Sequence, residues 1–142
     1  MYLGVLPERH DSVVCLTYAG ERPLLVRNRH RAWEFPGGHA EPGEGVADTA
    51  RREALEEAGA VLGEITPVGY YVLSGGHVTV VTHARVNALR PLTGEFETVE
   101  VRAFDLLPPD HELSWADGLY AHLLRVLDLP GAPPERLSPR DA

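Results

Sequence analysis

Hydrophobic positions along the chain fall into short runs punctuated by glycine, proline and charge. Ser12 to Tyr18, rich in valine and leucine, reads as a first strand, and Gly20-Glu21-Arg22-Pro23 as a turn. Leu24-Leu25-Val26 is a second strand, so the pair predicts a hairpin. Asn28 to Arg31 is a polar, basic turn. Trp33-Glu34-Phe35 is a short extended piece, with Pro36 biasing Phe35 toward extended geometry, and Gly37-Gly38 break the chain. Glu41 to Glu44, with Pro42 and Gly43, is loop. The period then changes: a helix is predicted over Val46 to Ala58, closed by the left-handed cap residue Gly59. Strand candidates follow near Ile65 to Leu73 and Thr79 to Val86, separated by Gly75-Gly76, and near Val99 to Phe104. Leu106 to Glu112, with two prolines, is a connection. Leu119, Leu123, Leu124 and Leu127 at helical spacing predict a second helix over Trp115 to Leu127. Strands around one long helix, with another late, predict an α/β layered domain with a mixed sheet.

Composition narrows the picture. The 142 residues suit one domain, assigned to residues 1–129, with the Pro-rich tail 130–142 expected to be loosely ordered. Apolar residues at 44% supply a core. No apolar run approaches the ~20 residues of a membrane span, and the first residues carry neither a basic nor an apolar signal region. The lone cysteine, Cys15, has no intramolecular partner, which fits a reducing cytoplasm. It reads as a small core residue. All 13 cations are arginine against 21 carboxylates, a net charge of −8. So acidic a chain is a poor general nucleic-acid binder. Without lysine there is no Schiff base, lysine nucleophile or P-loop. An acidic chain can still act on phosphates if a metal ion sits between them.

On the predicted helix, Glu56 lies ~60° to one side of Glu53 and Glu57 ~40° to the other. The three carboxylates share a stripe, while Ala47, Ala54 and Ala58 occupy another face. Like charges at these spacings repel and sit where the helix dipole favours cations. Arg51 and Arg52 offset only part of this. All-oxygen ligation of Mg²⁺ or Mn²⁺ would neutralise the stripe; a solvated glutamate face is the other reading.

The preceding loop bears on that choice. Residues 38–60, GHAEPGEGVADTARREALEEAGA, resemble the Nudix box, GX5EX7REUXEEXGU, where U is a bulky aliphatic. Gly38 is followed after five residues by Glu44, and after seven more by Arg52-Glu53, then Glu56-Glu57 and Gly59. Both U positions depart from the pattern, being Ala54 and Ala60. Trp33-Glu34-Phe35-Pro36-Gly37 looks like the family's usual lead-in. The resemblance implies a Nudix-type α/β/α sandwich with the box as loop–helix–loop. It also implies hydrolysis of a diphosphate linkage in a nucleoside diphosphate joined to another group. It makes Glu53, Glu56 and Glu57 ligands of Mg²⁺ or Mn²⁺, with Glu53 also a candidate to orient or deprotonate the attacking water. Arg52 would hold a glutamate by salt bridge, a carbonyl of Gly37 or Gly38 would complete coordination, and Glu44 and Gly59 would support the loop. Members often add a late carboxylate; of Glu95, Glu97 and Glu100, Glu97 is the choice.

Arg27, Arg29, His30 and Arg31 form a local positive patch that suits substrate phosphates, or else a solvated turn. Trp33, Tyr70 and Tyr71 are stacking candidates for a base, or else core. No role is assigned to His39, His77 or His83. His39-Ala40-Glu41 lacks the PCxxC partner of a zinc deaminase, and HExxH is absent. A non-catalytic module that senses a nucleotide metabolite is the competing function; an isoprenoid diphosphate isomerase would need a catalytic cysteine segment that the chain lacks. The substrate implied is a small nucleotide or nucleoside diphosphate derivative, with nucleotide sugars and dinucleoside polyphosphates left open. A homodimer is compatible with the resemblance.

Overall fold

The structure is a computed structural model, described over residues 1–115 and 117–134. The elements run β1 (Tyr2–Leu3), β2 (Ser12–Ala19), β3 (Arg22–Asn28), β4 (Trp33–Glu34), β5 (Gly37–His39), α1 (Val46–Ala58), β6 (Ala60–Val72), β7 (Val78–Leu89), β8 (Thr98–Ala103) and α2 (Leu119–Val126), with a 3-10 turn at Asp110–Glu112 before α2. The strands form one sheet in the order β1-β6-β7-β2-β3-β4, with β5 paired to β2 and β8 to β3. β2 and β7 are parallel and the other pairings antiparallel, so the sheet is mixed.

Burial on both faces accounts for the unbroken apolar runs of β2 and β3. Side chains alternate along a strand. Val14, Leu16, Tyr18 and Leu25 join Phe35 and the α2 residues Tyr120, Leu123 and Leu124 in one cluster. Val13, Cys15, Leu24 and Val26 join the α1 residues Ala50, Ala54 and Ala58 in the other. One helix on each face completes the α/β/α sandwich.

The helix α1 spans the predicted residues. Asp48 accepts the Gly45 N–H at 3.0 Å and places its charge at the positive end of the helix. Gly59 closes the helix at φ 66°, where a Cβ would lie 2.2 Å from the Arg90 carbonyl oxygen. Ala54 and Ala60 are both fully buried, so these two small residues let helix and strand approach closely. Ala47, in the first turn, is exposed, and Ala50 takes its expected place on the buried face.

Several boundaries differ from the sequence reading. Gly37-Gly38 form a strand rather than a break, because β5 runs against β2 so closely that a Cβ on Gly37 would sit 2.4 Å from the Val13 carbonyl oxygen. β1 forms through pairing with β6 and stacking of Tyr2 on Tyr70, with ring centroids 4.8 Å apart. β6 starts at Ala60, immediately after the Gly59 cap, and absorbs register shifts along its length. α2 starts at Leu119 rather than Trp115, because Gly118 is left-handed at φ 79°. The first residues of the expected loose tail are held: Tyr18 Oη donates to the Pro130 carbonyl, Leu107 N–H to Gly131 and Arg125 Nη2 to Pro133. Residues 135–142 lie outside the described residues.

Between β2 and β3 the sheet parts. β2 pairs with β5 over Ser12–Val14 but meets β3 only at Tyr18 and Ala19. The segment 33–39 crosses this parting. Trp33 and Glu34 pair with β3, Pro36 accepts the Cys15 N–H, and Gly37–His39 pair with β2.

Candidate active site

The centre of the site is Arg52. Its Nε and Nη2 make a fork onto Glu44, at 2.8 and 3.0 Å. Its Nη1 is shared between Glu53 at 2.9 Å and Glu56 at 3.2 Å, and Nη2 also donates to the His39 carbonyl at 2.9 Å. Only a planar guanidinium reaches so many acceptors at fixed angles. The donors from Arg52 hold the Glu44 carboxyl down at about 2. Glu44 also accepts the Glu41 N–H at 2.7 Å and the Thr49 hydroxyl at 3.2 Å, which fastens the loop to the first turns of α1.

Glu53 and Glu57 lie where β5 meets α1. The Glu53 carboxylate packs against Gly38, where a Cβ would lie 2.5 Å from Oε1. Glu57 Oε1 accepts the Gly37 N–H at 2.9 Å. Glycine is therefore required at 38 by the approach of a carboxylate and at 37 by strand pairing. Burial pushes the Glu57 carboxyl up to about 8; the Gly37 N–H opposes this, and the charges of Glu53 and Glu34 add to it. Burial also raises Glu53, against the pull of Arg52. The negative charge of Glu53 adds to the upward push on Glu57, so the two carboxylates repel.

These residues fit a divalent cation by their chemistry: hard oxygen donors with more negative charge than Arg52 neutralises. With Arg52 Nη1 between Glu53 and Glu56, no three acidic, histidine or cysteine side chains among the described residues close as a ligand set. Glu53, Glu56 and Glu57 are the groups that would hold such a cation, which would supply the positive charge that Arg52 alone does not.

Beside Gly37 and Gly38 opens a cavity of about 620 Å³, within the range of small-molecule sites. Its walls include Val14, Arg31, Glu34, Phe35, Tyr71, Leu73, Trp115 and Tyr120, with Ser12, His39 and His77 at the β5 side. Ser12 Oγ and His77 Nε2 are 2.8 Å apart, and the His39 and His77 rings meet edge to face at 5.4 Å.

Of the sequence-predicted residues, the structure brings together Gly37, Gly38, Glu44, Arg52, Glu53, Glu56 and Glu57, with Gly59 as the helix cap. Arg31 lines the cavity and pairs with Glu34 at 3.1 Å. Arg27 does not line it; it faces Glu100 across β8 at 3.3 Å. Arg29 is also outside the lining, giving its backbone N–H to the Glu97 carbonyl. Trp33 is 8% exposed, in the core against Phe104, with Arg102 over its ring. The Glu97 carboxylate faces His30 at 3.8 Å and Asn28 at 3.5 Å. The sequence reading missed Glu34, Trp115 and Tyr120. Glu34 hid inside the lead-in segment, and the two aromatics follow no spacing that separates cavity from core.

The NUDIX domain family model matches residues 8–124. A Bacillus subtilis (strain 168) protein, "Putative 8-oxo-dGTP diphosphatase YtkD", is 33% identical over 103 residues, covering 70% of this chain and 64% of that protein. "Nucleoside diphosphate-linked moiety X motif 6" of Mus musculus is 54% identical over 39 residues, 25% of this chain and 12% of that one. The chain thus spans less than two thirds of the length of these curated relatives. Among solved structures, the Bacillus subtilis pyrophosphohydrolase BsRppH superposes with a TM-score of 0.78 at 25% identity, covering 88% of this chain and 85% of that one. A NUDIX hydrolase from Nitrosomonas europaea gives 0.65 at 23% identity, covering 91% and 80%. With the box residues gathered around one arginine and the family model matched across most of the chain, this protein belongs to the Nudix family.

Proposed function

We propose that the chain is a divalent-metal-dependent pyrophosphohydrolase that cleaves the diphosphate linkage of a nucleoside di- or triphosphate or another nucleoside diphosphate derivative. The observation that carries this reading is the half-buried cluster of Glu53, Glu56 and Glu57 beside Arg52, joined through Gly37 to a cavity of about 620 Å³. The printed names of the relatives YtkD and BsRppH point to the same class of reaction. Glu53, Glu56 and Glu57, with a carbonyl of Gly37 or Gly38, are the groups that would hold Mg²⁺ or Mn²⁺. When bound, the cation supplies charge neutralisation of the diphosphate and activation of the attacking water. The chain's residues do the rest. Arg52 fixes Glu44 and Glu53 relative to one another, and the Gly37 N–H orients Glu57. Glu53 takes a proton from the attacking water in this reading. Arg31 offers a cation at the cavity for substrate phosphate.

The test is a panel of nucleoside di- and triphosphates, oxidised dGTP, ADP-ribose, nucleotide sugars and dinucleoside polyphosphates, with Mg²⁺ and separately Mn²⁺, read by mass spectrometry. Metal-dependent scission at a diphosphate bond is the expected result. Glu53→Gln is expected to lower kcat by about 10²–10⁴ while the protein stays folded. A folded wild-type protein that binds one member and cleaves none would replace catalysis with sensing.

A further inference from the structure

We propose that the cavity is a guanine pocket in which Glu34 reads the base, a reading that rests on the nucleotide hydrolase proposed above. Glu34 lines the cavity and is only 4% exposed, yet its Oε2 has no hydrogen-bond partner among the described residues. Oε1 is occupied by Arg31 at 3.1 Å. A buried carboxylate oxygen without a donor is costly, and such an atom calls for a donor from outside the chain. The remaining walls say what shape brings it. Phe35, Tyr71, Trp115 and Tyr120 surround the space with aromatic surface, and Trp115 is half exposed. A flat heteroaromatic ring fits such walls.

The edge of that ring is chosen by Glu34. An ionised carboxylate accepts and never donates; burial raises the Glu34 carboxyl, and the Arg31 guanidinium opposes this by favouring the ionised form. Guanine sets two adjacent donors, N1–H and the 2-amino group, on one edge. Adenine and cytosine put a ring acceptor beside their amino group, and uracil flanks a single N–H with two carbonyls. Each of these brings a lone pair against Oε2. Hypoxanthine keeps N1–H and loses the amino group. A site built to satisfy specific donors rejects analogues that lack them. 8-Oxoguanine carries the same two donors and is accepted on the same terms. Gly37 lines the same cavity and donates its N–H to Glu57 at 2.9 Å, so the base end and the carboxylate end belong to one site.

The experiment measures binding of GMP, IMP and AMP without divalent metal, by tryptophan fluorescence and calorimetry, and so is independent of turnover. GMP is expected to bind at least ~10-fold tighter than AMP, with IMP between. Glu34→Gln is expected to lose about 10-fold for GMP while AMP changes less than about 3-fold. Should that variant not fold, Glu34→Asp keeps the charge, withdraws it by one methylene and is expected to show the same selective loss. Equal binding of GMP and AMP by the wild type, failure of GMP to bind, or a variant that keeps its preference overturns the pocket. A GMP preference in a protein that cleaves no nucleotide refutes the hydrolase and leaves the pocket standing. Hydrolysis without base preference does the reverse.

Discussion

Replacing Glu57 by glutamine should stabilise the metal-free protein, and only at neutral to alkaline pH. In the folded chain the Glu57 carboxyl is raised from 4.5 to about 8, first by burial and then by Glu53 and Glu34. Between these values the folded state binds more protons than the unfolded state, so stability falls as pH rises. With ~1.36 kcal/mol per decade, the loss from pH 5 to pH 8 is about 3 kcal/mol. For a domain of this length ~1 kcal/mol moves Tm by about 3 °C, so wild-type Tm should drop by roughly 10 °C over that window. Glutamine keeps the acceptor for the Gly37 N–H and removes the titration. The assay is thermal unfolding by circular dichroism in a chelator, at pH 5 and pH 8, for both proteins. Near-equal Tm at pH 5 and a Glu57→Gln advantage of several degrees at pH 8 are expected. Saturating Mg²⁺ should raise wild-type Tm at pH 8 and leave the variant behind. Parallel curves for the two proteins across the pH range would refute the reasoning, since the cost would then lie elsewhere.

Three further outcomes follow from the same geometry. Gly38→Ala drives a methyl against the Glu53 carboxylate, which is the movable partner; kcat should fall by about 10²-fold with Tm nearly unchanged, and equal losses of both would mean the strand gives way instead. Arg52→Lys loses the fork onto Glu44 and the bridge between Glu53 and Glu56, a cost of about 1–3 kcal/mol. Denaturant titration checks this, and kcat should fall with it. Ala54→Leu inserts a side chain where nothing is exposed and should destabilise by about 1–3 kcal/mol, measured in the same titration.

What was legible in the sequence was whatever has a period or a fixed spacing. Helix α1 carried both, an alanine face and a glutamate stripe closed by Gly59, and it spans the expected residues. The gathering of Glu44, Arg52, Glu53, Glu56 and Glu57 with Gly37 and Gly38 followed from the same segment. Hidden features depend on which strand a residue pairs with. Arg27 looked free until β8 placed Glu100 opposite it. Trp33 looked like a stacking residue until Phe104 and Arg102 enclosed it. Glu97 carries no mark that sets it apart from Glu95 or Glu100, and only the fold shows it facing His30 and Asn28. β5 was concealed because glycine pairs signal breaks as readily as close strand approach.

The stretch 33–39 carries Glu34, Phe35, Gly37 and Gly38 across the parting of the sheet, with both of its ends fixed in strand register. A single inserted or deleted residue there would reverse which side chains face which layer. Such a change would uncouple base contact from the carboxylates in one step. The turn at Leu73–Gly76, which lines the same cavity through Leu73 and Ser74, has open space around Gly75 and Gly76 and can change length without touching either. Divergence of substrate choice in proteins built this way should therefore proceed by substitution along 33–39 and by length variation in the turn at 73–76.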